Sequence, residues 1–229
     1  MKIKSLTQDI QLECTSTHIH IGLERSHLVI SSAVWNGGFV RADHIVNLKV
    51  EKHSDESPIY ESPEVTLNRY CTNHEWKGLS VGMMTAASME SLRISNCAKQ
   101  GVEIITLVTS GLANARRAGD YADYREMTEL QAEVGTINTI ILTTASLTPS
   151  AMVEAIVIAT EAKAVALQDL GILSPISNNI ATGTGTDAIA LVGGYGSKGI
   201  QYCGKHTLFG ELLAHTVIES ITSSIQRAS

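Results

Sequence analysis

The residues with the most chemical potential lie in two segments near the C-terminus. Ala181-Thr-Gly-Thr-Gly-Thr-Asp187 combines a carboxylate, three hydroxyls and glycines whose backbone amides a ligand can approach closely. A plain turn needs only one or two such residues, so the segment reads as a site. Gly204-Lys-His-Thr207 puts His206 at the start of a helix. The positive end of the helix dipole disfavours imidazolium there, so a neutral His206 is suited to act as a base, and nearby amides can hold an oxyanion. The plain alternatives are a structural glycine turn and a histidine that merely caps a helix.

Other motifs match by letters and fail on context. Gly183-Thr-Gly-Thr-Asp-Ala188 fits the dinucleotide fingerprint, but that motif must follow a strand and open a helix, whereas here it precedes a strand. Gly199 to Lys205 nearly spells a phosphate loop, with His206 where the hydroxyl should be. Gly78-Leu-Ser80-Val-Gly82 has the letters of a nucleophile elbow, and Asp187 and His206 follow in the Ser, Asp, His order. The polar Thr72 to Lys77 stretch stands where a buried strand should deliver Ser80, so coincidence is favoured. His18 and His20 share one strand face without a nearby third ligand, and they read as a solvated face rather than a metal site.

The elements that must carry these residues follow from periodicity. Up to Val50 the chain alternates apolar and polar positions and reads as antiparallel strands, with Asn36-Gly37-Gly38 as a turn. Glu51 to Pro63 is loop-like. Met83 to Gln100 has helical spacing, and 102–109 and 137–143 are β-branched runs suited to a buried sheet. Thr148-Pro149 predicts a capped helix to about Asp169, ended by Gly171. That helix is apolar nearly all round, so Glu161 and Lys163 are unusual on it; snorkelling at its edge is the favoured reading. Asp187 to Val192 reads as a strand. Leu208, Leu212, Leu213, Val217, Ile221 and Ile225 form one stripe of a final helix.

The predicted fold is α/β: a single layered domain over 1–229 with a mixed sheet, antiparallel strands in the N-terminal part and alternating helices and strands in the C-terminal part. Of 229 residues, 44% are apolar and 17% charged, enough for a large core and too little charge for a disordered chain. A net charge of −6 without basic clusters argues against nucleic acid and anionic membranes. The start lacks the apolar stretch of a signal peptide and no run approaches a membrane span, so a cytoplasmic location is expected. Cys14, Cys71, Cys97 and Cys203 form no C-x-x-C pair and read as buried free thiols.

Several segments, taken in order, resemble the adenosylcobinamide amidohydrolases of corrinoid salvage. They are Asn36-Gly37-Gly38 with Asn47 and Val50; Gly82-Met-Met-Thr-Ala-Ala87; Thr109-Ser-Gly111 with Asn114, Arg117, Gly119 and Asp120; Gly135-Thr136-Ile-Asn138; Thr160-Glu-Ala-Lys163; Ala181 to Asp187; and Gly204-Lys-His-Thr207 with Gly210-Glu211. Seven pieces in register are specific where one is weak. The resemblance implies hydrolysis of the amide that joins the aminopropanol arm to the corrin ring, giving adenosylcobyric acid and 1-amino-2-propanol. Such a reaction needs an activated water or nucleophile, donors for the oxyanion and an acid for the amine.

For such a reaction the residues themselves suggest that His206 shuttles the proton, Asp187 or Glu211 orients it, and the Thr182 to Thr186 amides face the oxyanion. The attacking group is left open between water, Ser80 and a threonine such as Thr184. The expected catalytic residues are His206, Asp187 and Thr184. Asn36, Gly37, Gly38, Asn114, Thr136, Asn138, Thr182, Gly183, Gly185, Thr186, Lys205 and Glu211 are expected to bind substrate. Neither a metal nor a cofactor is expected, the corrinoid being the substrate, and a homo-oligomer is compatible with the sequence. The competing readings are a corrinoid-binding module without turnover and a serine hydrolase using Ser80.

Overall fold

The computed structural model describes residues 2–7, 9–50, 61–123 and 135–228. Its strands are β1 (Lys2–Thr7), β2 (Ile10–Cys14), β3 (His18–Ser31), β4 (Gly38–Lys49), β5 (Ser80–Thr85), β6 (Arg93–Lys99), β7 (Val102–Ser110), β8 (Ala115–Arg116), β9 (Ile137–Thr143), β10 (Ser146–Leu147), β11 (Gly183–Thr184), β12 (Ala188–Val192) and β13 (Gly199–Ile200). The helices are α1 (Pro63–Asn73), α2 (Pro149–Asp169) and α3 (Leu208–Ala228). Nine strands share one mixed sheet, in the order β1-β2-β3-β12-β9-β7-β6, with β4 pairing β3 and β5 pairing β4. The mixed α/β architecture agrees with the sequence pattern.

The long strand β3 explains the shape. Its first half is flanked by β2 and β4, and its second half by β12 and β4, with a break in register between Gly22 and His27. The sheet bends there and folds back on itself, bringing β4 and β5 over β9: the Asn138 side chain on β9 donates to the Asn47 side chain at 2.8 Å and to the Met84 carbonyl at 2.9 Å. Inside the wrap lies an apolar layer including Ile21, Ile45, Met83, Leu107, Ile140 and Ala190. Alternation assigns each side of β9: Asn138, Ile140 and Leu142 face this layer, while Ile137 and Ile141 face the helices.

Helices α2 and α3 cover the outer face of β12, β9 and β7, while α1 packs against β4 and β5. Thr148 caps α2 by accepting from the Ala151 amide at 3.2 Å, Pro149 takes the first turn, and Gly171 terminates the helix in the left-handed region (φ 65°). Leu213, Val217, Ile221 and Ile225 of α3 are buried as the stripe predicted. A second stripe, Thr216, Ser220 and Ser224, bonds to Thr106, Ser110 and the Ser91 carbonyl, which fixes α3 alongside β7.

Two expectations are corrected. Met83 to Gln100 is not helical: it holds the end of β5, a short 3-10 turn at Met89–Ser91, and the edge strand β6. One face of β6 is exposed, so its mixed pattern imitates helical spacing, and pairing along β7 decides the outcome. Pro63 opens α1 rather than closing a loop; residues 51–60 of that expected loop lie outside the described residues. Ser80 sits in β5 itself, buried, with its carbonyl taken by Asn36 at 2.8 Å, so no strand-to-helix elbow presents it. Of the four cysteines, all free, Cys71 and Cys203 are buried and Cys14 and Cys97 only partly so. Burial pushes the Cys203 thiol up to about 12.

Candidate functional site

Where β9 and β12 begin and β7 ends, their polar residues gather. Asp187, immediately before β12, holds the centre. Its carboxylate pairs with Lys163 of α2 and accepts from the Ile137 amide at 2.9 Å, the Thr184 amide at 3.0 Å and the Thr184 hydroxyl. The Lys163 and Asp187 side chains are 10% and 9% exposed. A lysine lodged among the alanines of α2 has no solvent to return to, so the pair is a built feature rather than a snorkelling charge. The glycine turn is shaped around it. A Cβ on Gly183 would fall 2.3 Å from Asp187 Oδ2 and 3.0 Å from Lys163 Nζ, so the close approach requires glycine.

The hydroxyls of this turn are tied to the neighbouring strand. Thr186 donates to the Gly135 carbonyl at 2.9 Å, and Thr136 donates to the Thr186 carbonyl at 2.7 Å. Thr182 accepts from the Ala118 amide at 2.8 Å, while β11 pairs with β8. Beside them lies Asn114, buried, whose Nδ2 and Oδ1 find no partner among the described residues. A Cβ on Gly135 (φ 128°) would meet Asn114 Oδ1 at 2.4 Å, and one on Gly185 would meet Nδ2 at 3.2 Å. Deeper in the wrap, Asn47 donates to the Thr109 hydroxyl at 2.9 Å, and Asn138 Oδ1 finds no partner among the described residues. Buried amide groups are nearly always hydrogen-bonded, so the open Asn114 carboxamide beside the glycine turn marks a place where a ligand's amide or a water is received.

At the rim, Asp120 accepts from the Ser174 hydroxyl at 2.5 Å and the Arg117 amide at 2.8 Å. The hydroxyls of Ser174 and Ser177 hold its carboxyl below the usual carboxylate range. Arg117 donates to the Ile180 carbonyl at 2.9 Å, which fastens the loop after β8 to the segment leading into β11.

The structure thus brings together Asn114, Thr136, Asn138, Thr182, Gly183, Thr184, Gly185, Thr186 and Asp187. It does not bring His206 to them. Ser224 bonds Ser110 at 2.7 Å, and Ser110 pairs with Ile137, whose amide holds Asp187. Between Leu208 and Ser224 the helix carries about 24 Å, so His206 stands at its far end. His206 is exposed and makes no side-chain hydrogen bond among the described residues; the hydroxyl that caps α3 is that of Thr207, which accepts from the Gly210 amide at 3.1 Å. The expected His206–Asp187 couple is therefore replaced by Lys163–Asp187. Glu211 is exposed on α3 and does not orient His206 by any hydrogen bond. Lys205 is occupied by an exposed pair with Glu161.

Asn36, Gly37 and Gly38 also lie elsewhere. Asn36 holds the Ser80 carbonyl, about 13 Å along β5 from the Met84 carbonyl that Asn138 holds. It lines a separate open cleft of about 390 Å³ with Trp35, Trp76 and Ser80. Gly37 cannot accept a side chain, because a Cβ would fall 2.3 Å from the Ala33 carbonyl.

Sequence reading passed over Lys163, Asn47, Thr109 and Gly135 as site residues, although all lie in the family-like segments. A charge on an otherwise apolar helix was the signal for Lys163. His18 and His20 are not a solvated face: both are buried in a ring cluster where His20 stacks on Trp76 with centroids 3.8 Å apart, approaches His44 at 3.0 Å, and His18 meets the Tyr70 hydroxyl at 2.8 Å. Among the described residues no group of three or more His, Cys, Asp or Glu side chains is arranged to hold a metal ion. No helix among them is long and apolar enough to cross a membrane.

Comparisons with known proteins bear on this cluster. A Methanocaldococcus jannaschii protein named "Uncharacterized protein MJ1613" is 38% identical over 62% of this chain and 61% of its own length. Proteins named adenosylcobinamide amidohydrolase from Methanosarcina mazei and Halobacterium salinarum are 29% and 26% identical, over 83% and 85% of this chain and 86% and 78% of theirs. The family description adenosylcobinamide amidohydrolase matches residues 3–229. With the match spanning nearly every residue, the chain belongs to the adenosylcobinamide amidohydrolase family.

Proposed function

We propose that this protein hydrolyses the amide between the aminopropanol arm and the corrin ring of adenosylcobinamide, giving adenosylcobyric acid and 1-amino-2-propanol, as a step in salvage of cobalamin precursors in the cytoplasm. The observation that carries the reading is the buried Lys163–Asp187 pair, with the open carboxamide of Asn114 against the glycine turn that holds it. An amide carbonyl placed beside the turn takes a hydrogen bond from Asn114 Nδ2. Water adds to the amide carbon, Asp187 accepts its proton, and that proton passes to the departing nitrogen as the C–N bond breaks. Lys163 anchors the Asp187 side chain in place and faces the developing oxyanion. No metal, cofactor or nucleic acid takes part in this reading, and Ser80 takes no part as nucleophile.

The test is incubation of the purified protein with adenosylcobinamide and chromatography of both products. Release is expected from the wild type, with Asp187→Asn and Asn114→Ala each slower by about a hundredfold or more. Tight corrinoid binding, seen in the visible spectrum, without aminopropanol release would instead identify a binding module.

A further inference from the structure

A second polar mouth opens at the opposite end of the wrap, where β9 and β12 end and β7 begins. Asn138 and Thr143 are about 17 Å apart along β9, so this mouth is separate from the Asp187 cluster. It contains a cavity of about 220 Å³ whose lining includes Ile10, His27, Glu103, Ile105, Leu142 and Tyr195. The glycine-rich turn after β12 forms one wall. A Cβ on Gly194 or on Gly196 would fall 2.4 Å from the Thr143 or Thr144 carbonyl, so only glycine lets the turn lie flat across the end of β9.

His27 is the reason to regard this cavity as a site. It is 4% exposed, and its Nδ1 lies 2.8 Å from the Gly193 carbonyl. A carbonyl only accepts, so Nδ1 donates to it and Nε2 is the ring nitrogen left for a second partner. That Nε2 is buried and finds no partner among the described residues. The cation at the rim is already engaged: Arg25 lies 4.1 Å over the Tyr195 ring and 3.3 Å from Asp9. Glu103 has the inward parity of Ile105 on β7, which adds a carboxylate to the cavity wall. The unmet demands are therefore for a hydroxyl donor at His27 and a cation at Glu103, with Ile10, Ile105 and Leu142 as an apolar floor. At about 220 Å³ the cavity falls below the usual range for drug-sized ligands, so a corrin ring is excluded and a molecule of a few heavy atoms fits.

We infer that this cavity binds a small protonated amino alcohol, its hydroxyl donating to His27 Nε2 and its ammonium facing Glu103. The choice of probe, 1-amino-2-propanol, rests on the hydrolysis proposed above; the binding does not. Titration calorimetry and NMR of the full chain are expected to show saturable binding, with resonances of His27 and Tyr195 moving. Propylamine and 2-propanol, each lacking one of the two groups, should bind at least tenfold more weakly, and acetate should not bind. His27→Phe and Glu103→Gln, which change opposite walls, should each weaken binding at least tenfold and leave the initial rate of adenosylcobinamide hydrolysis within twofold. Asp187→Asn should lose hydrolysis and keep the titration. Absence of saturable binding at concentrations on the order of tens of millimolar, or equal binding of acetate, overturns the inference. Cleavage of adenosylcobinamide with no binding here defeats this site alone, and binding without cleavage defeats the hydrolysis alone.

Discussion

Replacing Lys163 by methionine removes one member of a buried pair while leaving the length and much of the volume of the side chain. Both partners are about one-tenth exposed, so the Asp187 charge would be left with its two amide donors and the Thr184 hydroxyl but no counterion. Breaking a buried pair from one side costs about 3–5 kcal/mol, because the remaining charge stays desolvated. For a chain of 229 residues each kcal/mol moves Tm by about 2–4 °C, so Lys163→Met should lower it by about 6–20 °C. The control is Lys205→Met, which breaks the pair with Glu161, whose partners are 72% and 46% exposed. A surface pair of that kind contributes about 0–1 kcal/mol, or at most a few degrees. Calorimetric melting of both variants decides the matter, and adding Asp187→Asn completes a cycle in which the double variant should recover part of the loss, with a coupling of about 1–3 kcal/mol. If Lys163→Met melts no lower than Lys205→Met, the pair is not the buried keystone described above, and its catalytic placement loses its physical basis.

His20 lies inside the ring cluster, where burial first and then His44, His18 and His74 push it down to about 3 from an ordinary value of 6.5. Because the folded value is the lower one, this contribution is complete above about pH 6.5. Below that the unfolded chain binds a proton the folded chain refuses, and stability falls by at most about 1.4 kcal/mol per pH unit towards pH 3. Urea unfolding between pH 7 and 4 should show a shallower decline in His20→Phe than in the wild type; parallel curves would contradict it. Gly135→Ala forces a left-handed backbone and a 2.4 Å approach to Asn114 Oδ1, so it should lower stability by about 1–3 kcal/mol and remove most hydrolysis, both readable on one preparation. His206→Ala and Ser80→Ala should each retain hydrolysis within a few-fold, since neither residue reaches the Asp187 cluster; a loss of a hundredfold in a well-folded His206→Ala protein would restore that residue to the mechanism.

What can be read from the chain alone depends on local physics. The Thr148-Pro149 cap, the Gly171 stop, the stripe on α3 and the buried runs of β7, β9 and β12 are properties of short windows, and all are found where the sequence puts them. The glycine-threonine turn ending in Asp187 was legible for the same reason: its composition exceeds what a turn requires. The partner of Asp187 was not legible. His206 was nearer in sequence and its helix-start position was chemically attractive, but α3 is held beside β7 by Thr216, Ser220 and Ser224, and its length carries His206 away. Lys163, farther off in sequence, is returned by α2, which runs back from the end of β9 to the start of β12. Likewise Asn47 meets Asn138 only because the sheet bends within β3, a long-range event set by strand pairing and core packing that no local spacing records. Sequence therefore determined those elements whose signals are local and singled out the turn that ends in Asp187; tertiary packing alone decided that Lys163 is the side chain paired with it.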